Sequence, residues 1–118
     1  MRDHPAIDQR AIAALQELST AGSDDFLCEI ITLYLQDTPL LLAQLKQALA
    51  AGDGVTVSRL AHSIKGSSGN FGANHLAQLA HELELAAPLG GATVANVKAL
   101  QAEYGRVAAA LTASIASH

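Results

Sequence analysis

The residues best suited to chemistry in this sequence gather around His62, in the run Ala61-His62-Ser63-Ile64-Lys65-Gly66-Ser67-Ser68-Gly69. At about 100° per residue, His62 falls roughly 160–200° around a helix from the apolar Leu60 and Ile64. Its own face carries Ser58, Arg59, Lys65, Gly66 and Gly69, at offsets of −4, −3, +3, +4 and +7. An imidazole is thus turned to solvent with cations one turn away and two glycines beside it. Glycine inside a helix costs about 1 kcal/mol against alanine, so two on one exposed face need a reason. The plain reason is a frayed helix. The functional reason is access, because another protein's backbone can approach His62 there. A neutral imidazole nitrogen can attack phosphorus, and the Lys65 ammonium can offset charge on phosphoryl oxygens. Alone, Lys65 reads equally well as a solvated lysine.

A carboxylate is expected nearby. A turn centred near Gly72 and Ala73 lies about ten residues after His62 and eleven or twelve before Glu84. In an antiparallel helix pair these two residues share a height. Glu84 can then accept a hydrogen bond from one ring nitrogen and leave the other nucleophilic. A surface glutamate is the plain alternative.

Those residues need a scaffold, and composition indicates one. The chain has 118 residues, half of them apolar and only 3% aromatic. That suits one domain with a core of Leu, Ala, Ile and Val, in an all-α class. Net charge is −4, against a general nucleic-acid binder. Yet no Asp or Glu occurs from Gly54 to His81, so that stretch is +2 and the remainder −6. A basic patch on an acidic protein points to an acidic partner or a phosphoryl group. Cys28 is the sole cysteine, which excludes an internal disulfide and reads as a packing residue. No apolar run is expected to reach the roughly 20 residues of a membrane span, and no signal-peptide pattern opens the chain. A soluble cytoplasmic protein is expected.

Apolar spacing and stop signals predict six helices. The first runs from Gln9 to about Ser19, with Asp8 as N-cap and Ile7 and Ile12 stapled across it. After Gly22, Ser23 caps a second helix to about Gln36, with Phe26, Ile30, Leu33 and Tyr34 on one face. Thr38-Pro39 starts a third, carrying Leu42, Leu45 and Leu49 to about Ala51. Asp53 caps the fourth, which runs to about Phe71 with Val57, Leu60, Ala61, Ile64 and Phe71 inward. The fifth buries Leu76, Leu79, Ala80 and Leu83. The last spans about Thr93 to Ala116, with Val97, Leu100, Tyr104, Val107, Leu111 and Ile115 inward. Short loops make neighbours antiparallel. The expected architecture is an antiparallel up-down-up-down four-helix bundle with two additional N-terminal helices, one domain over 1–118 with flexible ends at 1–7 and 117–118.

The run from Ala61 to Ala73, followed by Leu76, Ala80, Leu83 and Glu84, resembles the signature of histidine phosphotransfer (HPt) domains. Phe26, Tyr34, Asp37 to Pro39, Leu45, Ala48 and Gly52-Asp53 resemble that family's N-terminal half. The likeness covers most of the chain and is weakest in the last helix. It implies a phosphorelay intermediate, not an enzyme with kinase or nucleotide-binding activity. His62 matches the phosphoacceptor, taking a phosphoryl group from one receiver-domain aspartate and passing it to another receiver. Lys65 matches the adjacent basic residue, Gly66 the small residue that admits the receiver, and Glu84 a polar position near the ring. Arg59, Ser67 and Gly69 are expected to join Gly66 in partner binding. Partners are response-regulator receiver domains and a hybrid sensor histidine kinase, with no nucleic acid and no membrane. No cofactor or metal is expected, magnesium belonging to the partner receiver. The family-level expectation is a monomer.

Three rivals remain. His81-Glu82-Leu83 resembles the start of a histidine kinase phosphoacceptor box, but Pro88 stands seven residues after His81 rather than five. A metal-binding bundle lacks support in spacing: Glu-x-x-His is absent, His62, His75 and His81 are not paired at i,i+4, and His4 and His118 lie in the termini. A helical adaptor without phosphotransfer would need no particular histidine.

Overall fold

The computed structural model of the chain describes residues 4–18 and 25–116. It contains α1 (Gln9–Glu17), α2 (Asp25–Ala50), α3 (Gly54–Gly69), α4 (Asn74–Ala86), a 3₁₀ turn (Ala87–Leu89) and α5 (Val94–Ala116). The helix starts follow from side-chain chemistry. Asp8 Oδ1 accepts from the Arg10 N–H at 2.9 Å, and Asp53 Oδ1 from the Thr56 N–H at 3.1 Å, so both predicted acidic caps form. At α5, Thr93 and Asn96 cap each other reciprocally, at 2.8 and 3.2 Å. The proposed Ser23 cap lies outside the described residues.

One expectation fails. The second and third predicted helices are a single helix, α2, which passes through Thr38-Pro39 without a break. Among the described residues one helix, α1, therefore precedes the long ones, where two were expected. An interior proline costs about 3 kcal/mol through a lost hydrogen bond and a clash one turn back. Against that, Leu27, Ile31, Tyr34, Thr38, Leu42, Leu45 and Ala48 form one buried ridge at spacings of three and four across the proline. Breaking the helix would remove half of that ridge from the core. The ridge is also offset from the expected face: Phe26 and Leu33 are 40% and 51% exposed, while Leu27 and Ile31 are fully buried. A further expectation is corrected here. Phe26–Ala50 is long and apolar enough to cross a membrane by length and composition. Its inner ridge lies in the protein core instead.

α3 packs against α2 and α4, α4 against α5, and α5 back against α2, closing a ring of contacts. Hydrogen bonds fix α3 and α4 as antiparallel: Ser58 reaches Glu84, and Lys65 reaches His81. α1 touches α2. Ile7 and Ile12 on either side of its cap are both buried in the core. At the N-terminal end of the described residues Ile7 is buried and the His4 carbonyl accepts from Arg106 of α5. Two glycines set close approaches. Gly72 has φ +68°, and a side chain there would meet the Asp8 Cβ at 2.5 Å. A side chain at Gly54 would run into the carbonyl of Ala87, where the 3₁₀ turn crosses α3.

Candidate functional site

α3 is held in rotation by what it buries. Val57, Ala61 and Ile64 are almost wholly buried, and Leu60 nearly so. Ser68 is fully buried too, and its hydroxyl pairs with the Tyr34 hydroxyl at 2.7 Å. Burial pushes the Tyr34 phenol up to about 12, with the Ser68 hydrogen bond acting the other way. The Tyr34 ring also lies against Phe71 and Tyr104, with centroids 5.0 and 5.9 Å away. This inward set leaves His62 outward, its side chain 66% exposed.

The ring is oriented from α4. His62 Nδ1 lies 2.9 Å from Glu84 Oε2, and Lys65 Nζ lies 2.8 Å from Glu84 Oε1. Glu84's side chain is only 21% exposed. Its carboxyl is held below the ordinary carboxylate range, chiefly by the hydrogen bond from Lys65; burial opposes this, and the hydrogen bond from His62 and the two nearby positive charges add to the lowering. Glu84 is therefore an acceptor only at neutral pH. Nδ1 must be the donor, and the lone pair of a neutral ring falls on Nε2. Among the described residues Nε2 has no hydrogen-bond partner.

The glycine face is as open as expected. Gly66 and Gly69 are exposed, and a Cβ built on either meets nothing within 4 Å. The fold itself does not require glycine at these places. Arg59 is exposed but joins a different group. Asp53's carboxyl is lowered first by the Thr56 hydroxyl and N–H, with a lesser pull from Arg59. Ser67 bends back on its own helix, its hydroxyl donating to the Ser63 carbonyl at 3.1 Å. Ser63 and Ser67 line one wall of an apolar groove of about 570 Å³, whose other wall includes Phe26, Ile30, Leu33 and Leu41.

Two corrections follow. Lys65 is not a free ammonium beside the imidazole, because Glu84 neutralises it; the basic patch read from sequence shrinks to Arg59. His81, set aside as a fragment of another motif, belongs to the cluster. Its Nδ1 lies 3.3 Å from Lys65 Nζ and 3.8 Å from Glu84 Oε1. The signal was present: His81 and Glu84 stand at i,i+3 on one helix face. Ser58, read on the His62 face, donates to the Glu84 carbonyl at 2.8 Å.

The sequence model of the Hpt domain family matches residues 29–116. The chain is similar to the crystal structure of histidine-containing phosphotransfer protein B from Pseudomonas aeruginosa PAO1, with a TM-score of 0.87 and 30% identity, over 98% of this chain and 99% of that one. Among curated proteins no sequence match is found. With the family model spanning three of the four long helices entirely and most of the fourth, and with a solved phosphotransfer protein superposing over nearly its whole length, the chain is a member of the histidine phosphotransfer domain family and a histidine-containing intermediate of phosphorelays.

Proposed function

We propose that Nε2 of His62 is the atom that carries the phosphoryl group. The observation behind this is the Nδ1–Glu84 hydrogen bond on an exposed ring. In the forward step Nε2 attacks the phosphorus of a receiver's aspartyl phosphate. The N–P bond forms, the P–O bond to the aspartate breaks, and that aspartate leaves as a carboxylate. Nδ1 keeps its proton throughout. The ring gains a positive charge, which the Glu84 carboxylate offsets at 2.9 Å. Transfer to a second receiver is the same step reversed. Lys65 holds Glu84 ionised and in place. This chemistry asks for no cofactor on this chain, magnesium belonging to the receiver, and no nucleotide-binding or kinase activity.

The receiver docks, on this reading, over Gly66 and Gly69 and into the groove between α2 and α3. Exposed Phe26 and Leu33 supply apolar contact next to the histidine. The long helices α2 to α5 serve as an up-down-up-down antiparallel bundle that keeps this face rigid. A monomer acting in the cytoplasm, without nucleic acid or membrane, meets the needs of such a carrier; its donors and acceptors are receiver domains and a hybrid sensor kinase. The test is to mix the protein with phosphorylated receivers and follow acid-labile phosphate. His62→Gln should abolish uptake with helical content unchanged. Full uptake by that variant would move the acceptor to another residue, and failure of the wild type with every receiver tried would favour a plain adaptor.

A further inference from the structure

A second histidine cluster lies at the other end of α4, where sequence spacing gave no hint of one. His4, His75 and Glu103 come from the N-terminal segment, the first turn of α4 and the middle of α5. One ligand-capable atom of each lies within 4.8 Å of the others. The His4 and His75 imidazole rings are in contact, with centroids 4.0 Å apart and planes tilted by 43°. Glu103 is the one charged residue among the buried polar side chains of the described core, 7% exposed. A buried carboxylate needs a cation beside it. In this structure Arg106 supplies it, with Nη1 at 3.0 and 3.1 Å from the two Glu103 oxygens.

The hydrogen-bond directions carry the argument further. Arg106 Nη1 also lies 2.8 Å from His4 Nε2. A guanidinium only donates, so His4 Nε2 is an acceptor with its lone pair forward. That nitrogen stands 3.3 Å from Glu103 Oε2, also an acceptor. Both atoms face the same Arg106 nitrogen, at 2.8 and 3.1 Å, so their lone pairs converge on one cation. Their spacing matches a metal's demands. Ligands at 2.0–2.1 Å from a tetrahedral zinc ion lie about 3.3–3.4 Å from one another. His75, whose ligand atom lies within 4.8 Å of the other two, would supply the third ligand, leaving water as the fourth. Arg106 is a half-exposed side chain on the rim, its second nitrogen on the His4 carbonyl at 2.8 Å, and can swing outward.

We propose that His4, His75 and Glu103 bind a divalent transition-metal ion of the zinc class, for which the Arg106 guanidinium is the competing cation. Two imidazoles and one carboxylate favour zinc over magnesium or calcium, which prefer oxygen. The ion ties the N-terminal segment to α4 and α5. It is separate from the phosphoryl chemistry: Glu84 lies about 14 Å along α4 from His75, at 1.5 Å per residue.

The experiment is calorimetric titration of tag-free full-length protein with zinc chloride, and with magnesium chloride in parallel. The expected result is one zinc per chain and no response to magnesium. His4→Ala and His75→Ala should each weaken zinc binding at least tenfold, whereas His81→Gln should leave it unchanged. Arg106→Gln should tighten it, having removed the competitor. Circular dichroism confirms that each variant is folded, and ring signals of His4 and His75 in the wild-type ¹⁵N spectrum should shift first on titration. The proposal is overturned by absence of binding at about 100 μM zinc, or by folded His4→Ala and His75→Ala variants that bind as tightly as wild type.

Discussion

Glu84 touches both His62 and Lys65, so a single atom exchange there reads out two contacts. Glu84→Gln keeps the shape but removes the charge. One hydrogen bond to a charged group is worth about 1.5 kcal/mol, and transfer from a phospho-receiver should slow roughly tenfold in single-turnover measurements. The pH dependence has a definite sign. Because Glu84's carboxyl is held below its ordinary range, its contribution to stability is fully present above about pH 4.3. It is lost as pH falls further, through the lowered value of the folded state. Urea midpoints measured from neutral pH downward should fall less steeply in Glu84→Gln over that acid limb. Gly66 gives the opposite kind of variant. With nothing within 4 Å of a built Cβ, Gly66→Gln should stay folded and gain up to about 1 kcal/mol of helix stability, while receiver binding is lost. A variant that binds receivers as wild type does would show that nothing approaches there. The His62, Lys65 and Gly66 positions were legible because one helix period placed them. His81 was hidden by a competing motif, and the His4, His75 and Glu103 cluster by chain separation, since no local rule joins residues 71 and 99 positions away from His4.

Among the elements, α2 shows where local rules give way. Asp8 and Asp53 signalled their helices because a cap is a contact between neighbours in sequence. Thr38-Pro39 gave an equally clear local signal, and it was overruled by the ridge from Leu27 to Ala48. If packing carries the helix through an unfavourable residue, Pro39→Ala should relieve it. Stability should rise by about 1–3 kcal/mol in chemical denaturation, with no change in receiver binding. Loss of stability instead would mean that the proline supports the bend or rigidity of α2. At the α3–α4 turn the reverse holds. Gly72→Ala places a side chain in a left-handed backbone and against Asp8, so unfolding should come at least about 1–2 kcal/mol sooner.

For the molecule as a whole, net charge says less about partner recognition than the groove does. The +2 stretch counted along the chain is largely internal balance, since Lys65 is neutralised by Glu84 on the next helix. Receiver association should then depend weakly on salt and strongly on apolar contact. Phe26→Ala should weaken binding by about 1–3 kcal/mol with little loss of fold, because Phe26 is 40% exposed. Binding that collapses with added salt and ignores Phe26 would return the decisive role to Arg59.

The contact between His62 and Glu84 has a stereochemical corollary. With the inner nitrogen occupied, the proposed modification should give a single positional isomer, substituted at the tele position. Heteronuclear spectra of the phosphorylated protein should accordingly contain one phosphorus–nitrogen coupling pattern, and no trace of the pros compound.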